Sequence, residues 1–223
     1  MKPSSKVRAK ICCIKNVEEA KLAVRYGASA LGLVSEMPSG PGVISEGEIF
    51  KIAKLIPPPI ATFFLTSRTD AKEIIDQQKR LGTNTIQIVD GLKTGSHKQI
   101  KEALPGIKIV QVIHVIDENS VTEAIKVSEN VDAILLDSGN PNLQIKELGG
   151  TGRIHNWELS REIREKISIP LFLAGGLNHS NVRAAIETVS PFAVDVCSGV
   201  RTNGNIDENK LRLFFDEVNG LNR

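Results

Sequence analysis

Short runs rich in Val, Ile and Leu recur eight times along this chain of 223 residues, and each is followed by a stretch with the apolar spacing of a helix. The predicted strands are residues 7–12, 30–34, 60–65, 85–89, 108–114, 133–137, 170–174 and 193–197. The predicted helices are residues 17–26, 46–55, 70–81, 97–104, 120–129, 158–166, 180–188 and 208–218. Eight strand-plus-helix units in a chain of this length predict an α/β fold, a single (β/α)8 TIM barrel.

The predicted strands are continuously apolar, which is typical of strands that are buried on both faces of a parallel sheet. The alternative is an open, doubly wound sheet, because periodicity alone does not show whether a sheet closes. No Pro-rich or Ser-rich linker interrupts the series, so we expect residues 1–223 to form one domain. Capping side chains are expected at the start of several helices, namely Asn16, Ser45, Asn156 and Asp207.

The composition is that of an ordinary globular domain, with 41% hydrophobic and 24% charged residues and a formal net charge of +2. Such a balance argues against nucleic-acid binding, which requires a basic excess. No apolar run reaches the ~20 residues that span a bilayer, and residues 1–10 lack the apolar core of a signal peptide. We therefore expect a cytoplasmic protein without nucleic-acid or membrane partners, either a monomer or a homodimer.

Two glycine turns follow the last two predicted strands, where barrels of this kind commonly bind phosphate. They are Ala174-Gly175-Gly176-Leu177 and Cys197-Ser198-Gly199-Val200. Bare backbone amides there can approach a phosphate closely, and a following helix N-terminus favours its charge. A third segment, Gly149-Gly150-Thr151-Gly152, ends the long loop after the sixth strand and could complete the cradle or act as a lid. The alternative is that these glycines only make tight turns.

Two side chains at opposite sides of the predicted barrel mouth could exchange protons with a substrate. Asp137 ends an apolar run, and partial burial there would raise the proton affinity of its carboxyl group, as a general acid requires. Cys12 shares a strand face with Lys10, whose charge would favour a thiolate able to act as a base. The alternatives are an aspartate that caps a loop and a small buried cysteine. Cys13 has the opposite parity, so the sequence leaves open which thiol faces the mouth.

Neither the cysteines nor the histidines have the spacing of metal ligands. The three cysteines include no CxxC pair and no even disulfide framework, so we expect reduced thiols. The four histidines are scattered, and no metal site is expected; they are His97, His114, His155 and His179. Ser198 lacks the G-x-S-x-G context of a serine hydrolase.

Five segments, taken together and in order, carry a resemblance that covers almost the whole chain from Lys10 to the last helix. They are Lys10-Ile11-Cys12, Leu135-Leu136-Asp137, Gly149-Gly150-Thr151-Gly152 with Trp157, Leu173-Ala174-Gly175-Gly176-Leu177 and Val194-Asp195-Val196-Cys197-Ser198-Gly199-Val200. In these segments the sequence resembles phosphoribosylanthranilate isomerase, a family of compact (β/α)8 barrel enzymes in tryptophan biosynthesis.

The resemblance implies an Amadori rearrangement of N-(5-phosphoribosyl)anthranilate to a 1-deoxyribulose 5-phosphate, with Cys12 as general base and Asp137 as general acid. An acid and a base on opposite sides of the site would each contribute typically ~10²–10⁴-fold to the rate, and no metal or organic cofactor is needed. The phosphate of the sugar substrate would be bound at the glycine segments, by Gly150, Gly152, Gly175, Gly176, Ser198 and Gly199. Lys10 and Gln87 would also contact the substrate.

The sequence departs from the family pattern at the end of the site that binds the aromatic acid. The arginine associated with the anthranilate carboxylate is absent from Gly40-Pro41-Gly42-Val43, and Gln87-Ile88-Val89-Asp90 lacks the family's histidine. Cys13 replaces a glycine. Arg68, His114 or Arg153 could supply the missing cation, and an arginine would suit a carboxylate best.

Three hypotheses follow from these residues. The favoured one is an isomerase that acts on phosphoribosylanthranilate. The second is a related barrel isomerase that acts on another phosphorylated ribosylamine or ketose. The third is a barrel without catalytic activity that binds a phosphorylated metabolite.

Overall fold

Eight strands pair side by side in chain order, and the first also pairs with the last, so the parallel sheet closes into a barrel. The computed structural model describes residues 7–140, 142–143, 146–149 and 152–220. The barrel strands are β1 (Arg8–Ile11), β2 (Ala30–Val34), β3 (Ala61–Thr66), β4 (Thr85–Ile88), β5 (Lys108–His114), β6 (Ala133–Asp137), β7 (Leu171–Leu173) and β8 (Ala193–Val196). The prediction of a TIM barrel is confirmed, and the open doubly wound sheet is excluded.

Each barrel strand is followed by a helix, as the repeat predicted. The helices are α1 (Val17–Tyr26), α2 (Glu46–Leu55), α3 (Ala71–Leu81), α4 (His97–Ala103), α5 (Asn119–Ser128), α6 (Trp157–Lys166), α7 (Val182–Val189) and α8 (Glu208–Gly220). All four expected capping side chains accept backbone hydrogen bonds in the first turn of their helices. Such caps satisfy amides that the helix itself leaves without partners.

The alternation of side chains along the strands divides the buried residues into two groups. Residues such as Leu31 and Leu33 face outward and pack with the helices, in the larger core. Val34, Leu65 and Leu135 face into the barrel, in a second core. Burial of each such side chain stabilises the fold by about 1.5–3 kcal/mol. Because Cys12 belongs to the inner group, the strand alternation directs its thiol into the barrel.

One segment between β8 and α8 was not expected from the sequence. A short 3₁₀ helix (Ser198–Val200) leads into a two-stranded hairpin of β9 (Arg201–Thr202) and β10 (Asn205–Ile206). These strands have two residues each, too short for a period-2 pattern to be detected. Among the described residues, no helix has both the length and the hydropathy that crossing a bilayer requires.

Candidate active site

A cavity opens at the carboxyl ends of the strands, where this fold places its active sites. We call it the mouth cavity. Its lining includes these predicted site residues: Cys12, Gln87, Asp137, Gly152, Gly175, Gly176 and Ser198. Asp195 and Cys197 of the eighth repeat also line it, together with Cys13. The predicted acid, the predicted base and both predicted phosphate turns thus surround one space.

Cys12 follows the last residue of β1 and is held there by a backbone hydrogen bond to the neighbouring strand. The amide of Cys12 donates to the carbonyl of Val196 on β8 at 2.8 Å. A methyl group on Gly32 would lie 2.7 Å from Cys12 Sγ and 3.1 Å from Lys10 Nζ, so this glycine leaves room for both side chains. A hydrogen bond from the Cys13 side chain lowers the pKa of Cys12, burial opposes this effect, and the charge of Lys10 adds to the lowering.

Lys10 lies one layer deeper than Cys12 and forms a buried ion pair with Asp195. Its ammonium donates to Asp195 Oδ2 at 3.0 Å, and its side chain is fully enclosed. Burial lowers the pKa of Lys10, but Asp195 and the neighbouring thiols outweigh burial and raise it overall. Lys10 therefore remains a cation beneath the mouth cavity. Asp195 Oδ1 has no hydrogen-bond partner among the described residues, although it is buried.

Asp137 ends β6 and reaches the mouth cavity from the side opposite β1. Burial is the largest influence on its carboxyl group and raises the pKa, while the hydrogen bond from the Ser138 amide and the charge of His114 oppose the increase. That amide donates to Oδ1 at 2.7 Å. A methyl group on Gly149 would lie 2.6 Å from Oδ2, so the long loop after β6 folds back closely over the acid.

Cys13 also faces the mouth cavity, which the strand alternation did not predict. Its φ of 61° lies in the left-handed region, so the chain leaves the strand geometry at this residue. The guanidinium of Arg201 donates to the carbonyl of Cys13 at 2.6 Å and to that of Cys12 at 3.3 Å. Glu19 in turn accepts from Arg201 at 3.0 Å. No motif in the sequence pointed to Arg201, because its partners are distant along the chain.

The two glycine turns pack tightly against each other and against the loop after β6. A methyl group on Gly199 would lie 1.9 Å from the carbonyl oxygen of Leu177, and one on Gly176 would lie 2.7 Å from the carbonyl of Arg153. Gly175 and Gly176 have φ of 85° and 63°. Close contacts at Gly176 and Gly199, and the positive φ of Gly175 and Gly176, therefore favour glycine at these turns. Gly150, a predicted phosphate ligand, lies outside the described residues.

The predicted replacements for the missing cation do not line the mouth cavity. Arg68 donates to Gln77 at 3.2 Å and forms an ion pair with Glu73 at 2.9 Å. Arg153 pairs with Glu147. His114 Nε2 lies 3.0 Å from the carbonyl oxygen of Val89. The described residues that line the mouth cavity include no lysine, arginine or histidine.

The loop after β2 leaves no room for an arginine side chain at position 42. A methyl group on Gly42 would lie 2.4 Å from the Cβ of Cys13, and Gly42 has a φ of 83°. Cys13 and Gly42 thus depart from the family pattern at two positions that touch each other. Gln87 lines the cavity nearby, and its Oε1 atom is buried without a partner among the described residues.

Comparison with protein families matches residues 9–217 to the model of N-(5'-phosphoribosyl)anthranilate isomerase. The chain is 35% identical to the enzyme of that name from Methanosarcina acetivorans, over 96% of this chain and 93% of the relative. It is 32% identical to that from Thermotoga maritima, over 96% of this chain and 100% of the relative.

Solved structures give the same result. The crystal structure of phosphoribosyl anthranilate isomerase from Thermotoga maritima is 31% identical, with a TM-score of 0.80, over 96% of this chain and 99% of that one. A crystal structure of phosphoribosyl anthranilate isomerase in complex with reduced 1-(o-carboxyphenylamino)-1-deoxyribulose 5-phosphate is 29% identical, with a TM-score of 0.78 and the same coverage.

Proposed function

Because the chain belongs to the N-(5'-phosphoribosyl)anthranilate isomerase family, we propose that it isomerises N-(5'-phosphoribosyl)anthranilate to 1-(o-carboxyphenylamino)-1-deoxyribulose 5-phosphate in tryptophan biosynthesis. The observation that carries the proposal is the pair of Cys12 and Asp137, which line one cavity from opposite sides of the barrel and have oppositely shifted pKa values. A base that holds a thiolate and an acid that retains its proton are the two groups that an Amadori rearrangement needs.

Asp137 is proposed as the general acid. Opening of the ribose ring requires a proton on the ring oxygen as the bond between that oxygen and C1 breaks. Burial keeps the proton on the carboxyl group at a higher pH than an exposed aspartate would. The amide of Ser138 donates to Oδ1, and Oδ2 is proposed as the oxygen that donates the proton.

Cys12 is proposed as the general base. Ring opening leaves an iminium ion, and removal of the C2 proton by the thiolate gives an enolamine, which tautomerises to the ketose. The sequence predicts a substrate contact for Lys10, but its side chain is fully enclosed and does not line the mouth cavity. Its charge is proposed instead to favour the Cys12 thiolate from below. Lys10 is therefore proposed to position Cys12 and to favour its thiolate form. Asp195 holds the ammonium of Lys10.

The two glycine turns, with Ser198 and Gly152, are proposed to bind the phosphate of the sugar. They lie together at the carboxyl ends of β7 and β8 and line the same cavity as the acid and the base. Phosphate binding supplies energy remote from the reacting atoms and orients the ribose between Cys12 and Asp137. Gly150 and Gly199 complete the proposed set.

A second candidate function is isomerisation of another phosphorylated ribosylamine or ketose. It is supported by the lack of a cation among the described residues of the mouth cavity. Under the first function, the anthranilate group would rest on Gln87 and the apolar lining. Its carboxylate would then pair with Arg68 or Arg153, which lie in loops that could move toward the cavity, whereas His114 is buried in β5.

Turnover by the purified protein distinguishes these functions. In a coupled assay, N-(5'-phosphoribosyl)anthranilate is made from anthranilate, and this step lowers the fluorescence of anthranilate. The isomerase consumes that substrate and so draws its formation toward completion, which is read as a further loss of fluorescence. We expect the wild-type protein to turn this substrate over. A folded protein that does not turn this substrate over would reject the first function and leave the second.

Three further features of the protein are proposed. The protein acts in the cytoplasm, it is a monomer or a homodimer, and residues 1–223 form one domain. The cytoplasmic site is supported by the free thiols around the mouth cavity, since a reducing compartment preserves them. Light scattering during size exclusion would distinguish monomer from dimer, and limited proteolysis would test the single domain.

A further inference from the structure

We propose that Cys13 and Cys197 are a redox-active pair that forms a reversible disulfide across the ends of β1 and β8. Their sulfur atoms lie 2.6 Å apart. This separation is only slightly longer than the S–S bond of about 2.05 Å. Both thiols are free in this structure, and both line the mouth cavity.

The backbone brings these two residues together by a specific local feature. The register of β1 and β8 pairs Ile11 with Val196, so a regular continuation would align Cys12 with Cys197. The left-handed conformation of Cys13 departs from that alignment and turns its side chain toward Cys197 instead. Neighbouring strands lie about 4.8 Å apart, a distance that a disulfide between adjacent strands can span.

Two contacts hold Cys13 in this position. Arg201 holds its carbonyl at 2.6 Å, and Gly42 packs without a side chain against its Cβ. Because both contacts are made by the backbone and Cβ of Cys13, its sulfur can change bonding partner without breaking them. The two sulfur atoms need to approach each other by only about 0.5 Å to reach the bond length of about 2.05 Å.

Cys197 is the most exposed of the three thiols, and the pair is proposed to be oxidised through it. It is half-buried, whereas Cys12 and Cys13 are buried. With a peroxide as oxidant, the Cys197 thiol becomes a sulfenic acid and one water is released. The Cys13 sulfur then attacks the sulfenic sulfur, the S–O bond breaks, and hydroxide leaves with the Cys13 proton as a second water. Two thiols lose two electrons in total, and one hydrogen peroxide is reduced to two waters.

The disulfide would remove the S–H group that Cys13 donates to Cys12. This consequence rests on the proposed function, because it matters only if Cys12 is the base. Loss of the donor reduces the thiolate fraction of Cys12 at neutral pH. We expect kcat/KM at neutral pH to fall on oxidation, because the pKa of Cys12 rises when it loses this hydrogen bond, and to recover with dithiothreitol.

Peptide mapping of the full chain tests the pair directly. The protein is treated with hydrogen peroxide, alkylated and digested with trypsin without reduction. We expect residues 11–15 joined to residues 184–201, with fragmentation assigning the bond to Cys13, and release of the two peptides by dithiothreitol. A bond from Cys12, or thiols consumed by peroxide without a joined pair, would overturn the proposal.

Matched variants separate the three thiols. Cys12→Ser should retain the joined peptides, while Cys13→Gly and Cys197→Ala should lose them; Cys13→Gly suits the left-handed backbone, and circular dichroism checks the fold of each. Joined peptides at wild-type yield in Cys13→Gly would contradict the assignment. Mapping needs no substrate, so a reduced protein without turnover would refute the proposed function and leave the disulfide result intact.

Discussion

At the scale of single residues, the surroundings of Cys12 and Asp137 shift their pKa values in opposite directions. Burial dominates at Asp137 and raises its pKa, whereas the Cys13 hydrogen bond dominates at Cys12 and lowers its pKa. The two groups therefore differ less in proton affinity than an ordinary thiol and carboxyl group do. A smaller difference increases the fraction of molecules that hold a thiolate and a carboxylic acid together, which is the form the proposed mechanism uses.

Cys13→Gly should raise the pKa of Cys12, because the thiolate loses its hydrogen-bond donor. The rate of alkylation of Cys12 by iodoacetamide, followed in the peptide of residues 11–15 as a function of pH, measures this pKa. Cys197→Ala is the control, since Cys197 contacts Cys13 and not the base directly. An unchanged alkylation profile in Cys13→Gly would show that Cys13 does not hold the thiolate.

At the scale of elements, the neighbouring strands β8, β1 and β2 together build the surroundings of Cys12, the proposed base. β1 contributes Lys10, β8 contributes its partner Asp195, and β2 contributes the glycine beneath Cys12. The hairpin of β9 and β10 supplies Arg201, which fixes the turn after β1. Inward-facing positions on adjacent strands thus act as a unit, and substitutions there should affect both the stability and the site.

Gly32→Ala should destabilise the fold by about 1–3 kcal/mol, because its methyl group would lie 2.7 Å from Cys12 Sγ and force the thiol or the strand to move. Gly91→Ala is the matched control, since a methyl group there meets nothing within 4 Å. Urea denaturation of both variants measures the difference in free energy of unfolding. Equal stabilities would mean that the Cys12 side chain relaxes freely.

Lys10→Met should lower the free energy of unfolding by about 3–5 kcal/mol, because it leaves the buried carboxylate of Asp195 without its cation. The double variant Lys10→Met with Asp195→Leu should recover much of that loss, since it removes both buried charges. Chemical denaturation of the single and double variants checks this coupling. A double variant that is less stable than Lys10→Met would contradict it.

At the scale of the whole molecule, the repeat of strands and helices made the barrel predictable, because eight apolar runs and several capping residues carry local signals. The residues proposed as acid, base and phosphate turns could be selected from the sequence because the fold places the carboxyl ends of its strands together, and their roles stay predictions. Arg201, the direction of Cys13 and its contact with Cys197 were not predictable. They depend on one positive φ and on partners more than 180 residues away, which no local pattern encodes.

Burial of the Asp137 carboxyl group makes the stability of the folded protein depend on pH. Burial raises the pKa of Asp137 in the folded protein above its value in the unfolded chain. The folded state is therefore favoured below the ordinary pKa of aspartate and loses this advantage as the pH rises through the raised value. Asp137→Asn should then be more stable than the wild type at neutral pH, and the difference should shrink in acid.

Thermal or urea unfolding of Asp137→Asn and wild type across this range measures the difference. Asp216→Asn, at an exposed carboxylate on α8, is the control and should show no comparable gain at neutral pH. If Asp137→Asn is less stable than the wild type at neutral pH, the carboxylate is better compensated in the folded state than its burial implies.

Cys12 and Asp137 are proposed to act as base and acid on one substrate. The measurement that tests this most directly is kcat for N-(5'-phosphoribosyl)anthranilate in Cys12→Ser, Asp137→Asn and the double variant. Each single variant should lose about 10²–10⁴-fold or more in kcat while retaining the fold. The double variant should lose less than the product of the two single effects, because groups that serve one reaction are not additive. Folded single variants with kcat near that of the wild type would contradict the assignment of Cys12 as base and Asp137 as acid.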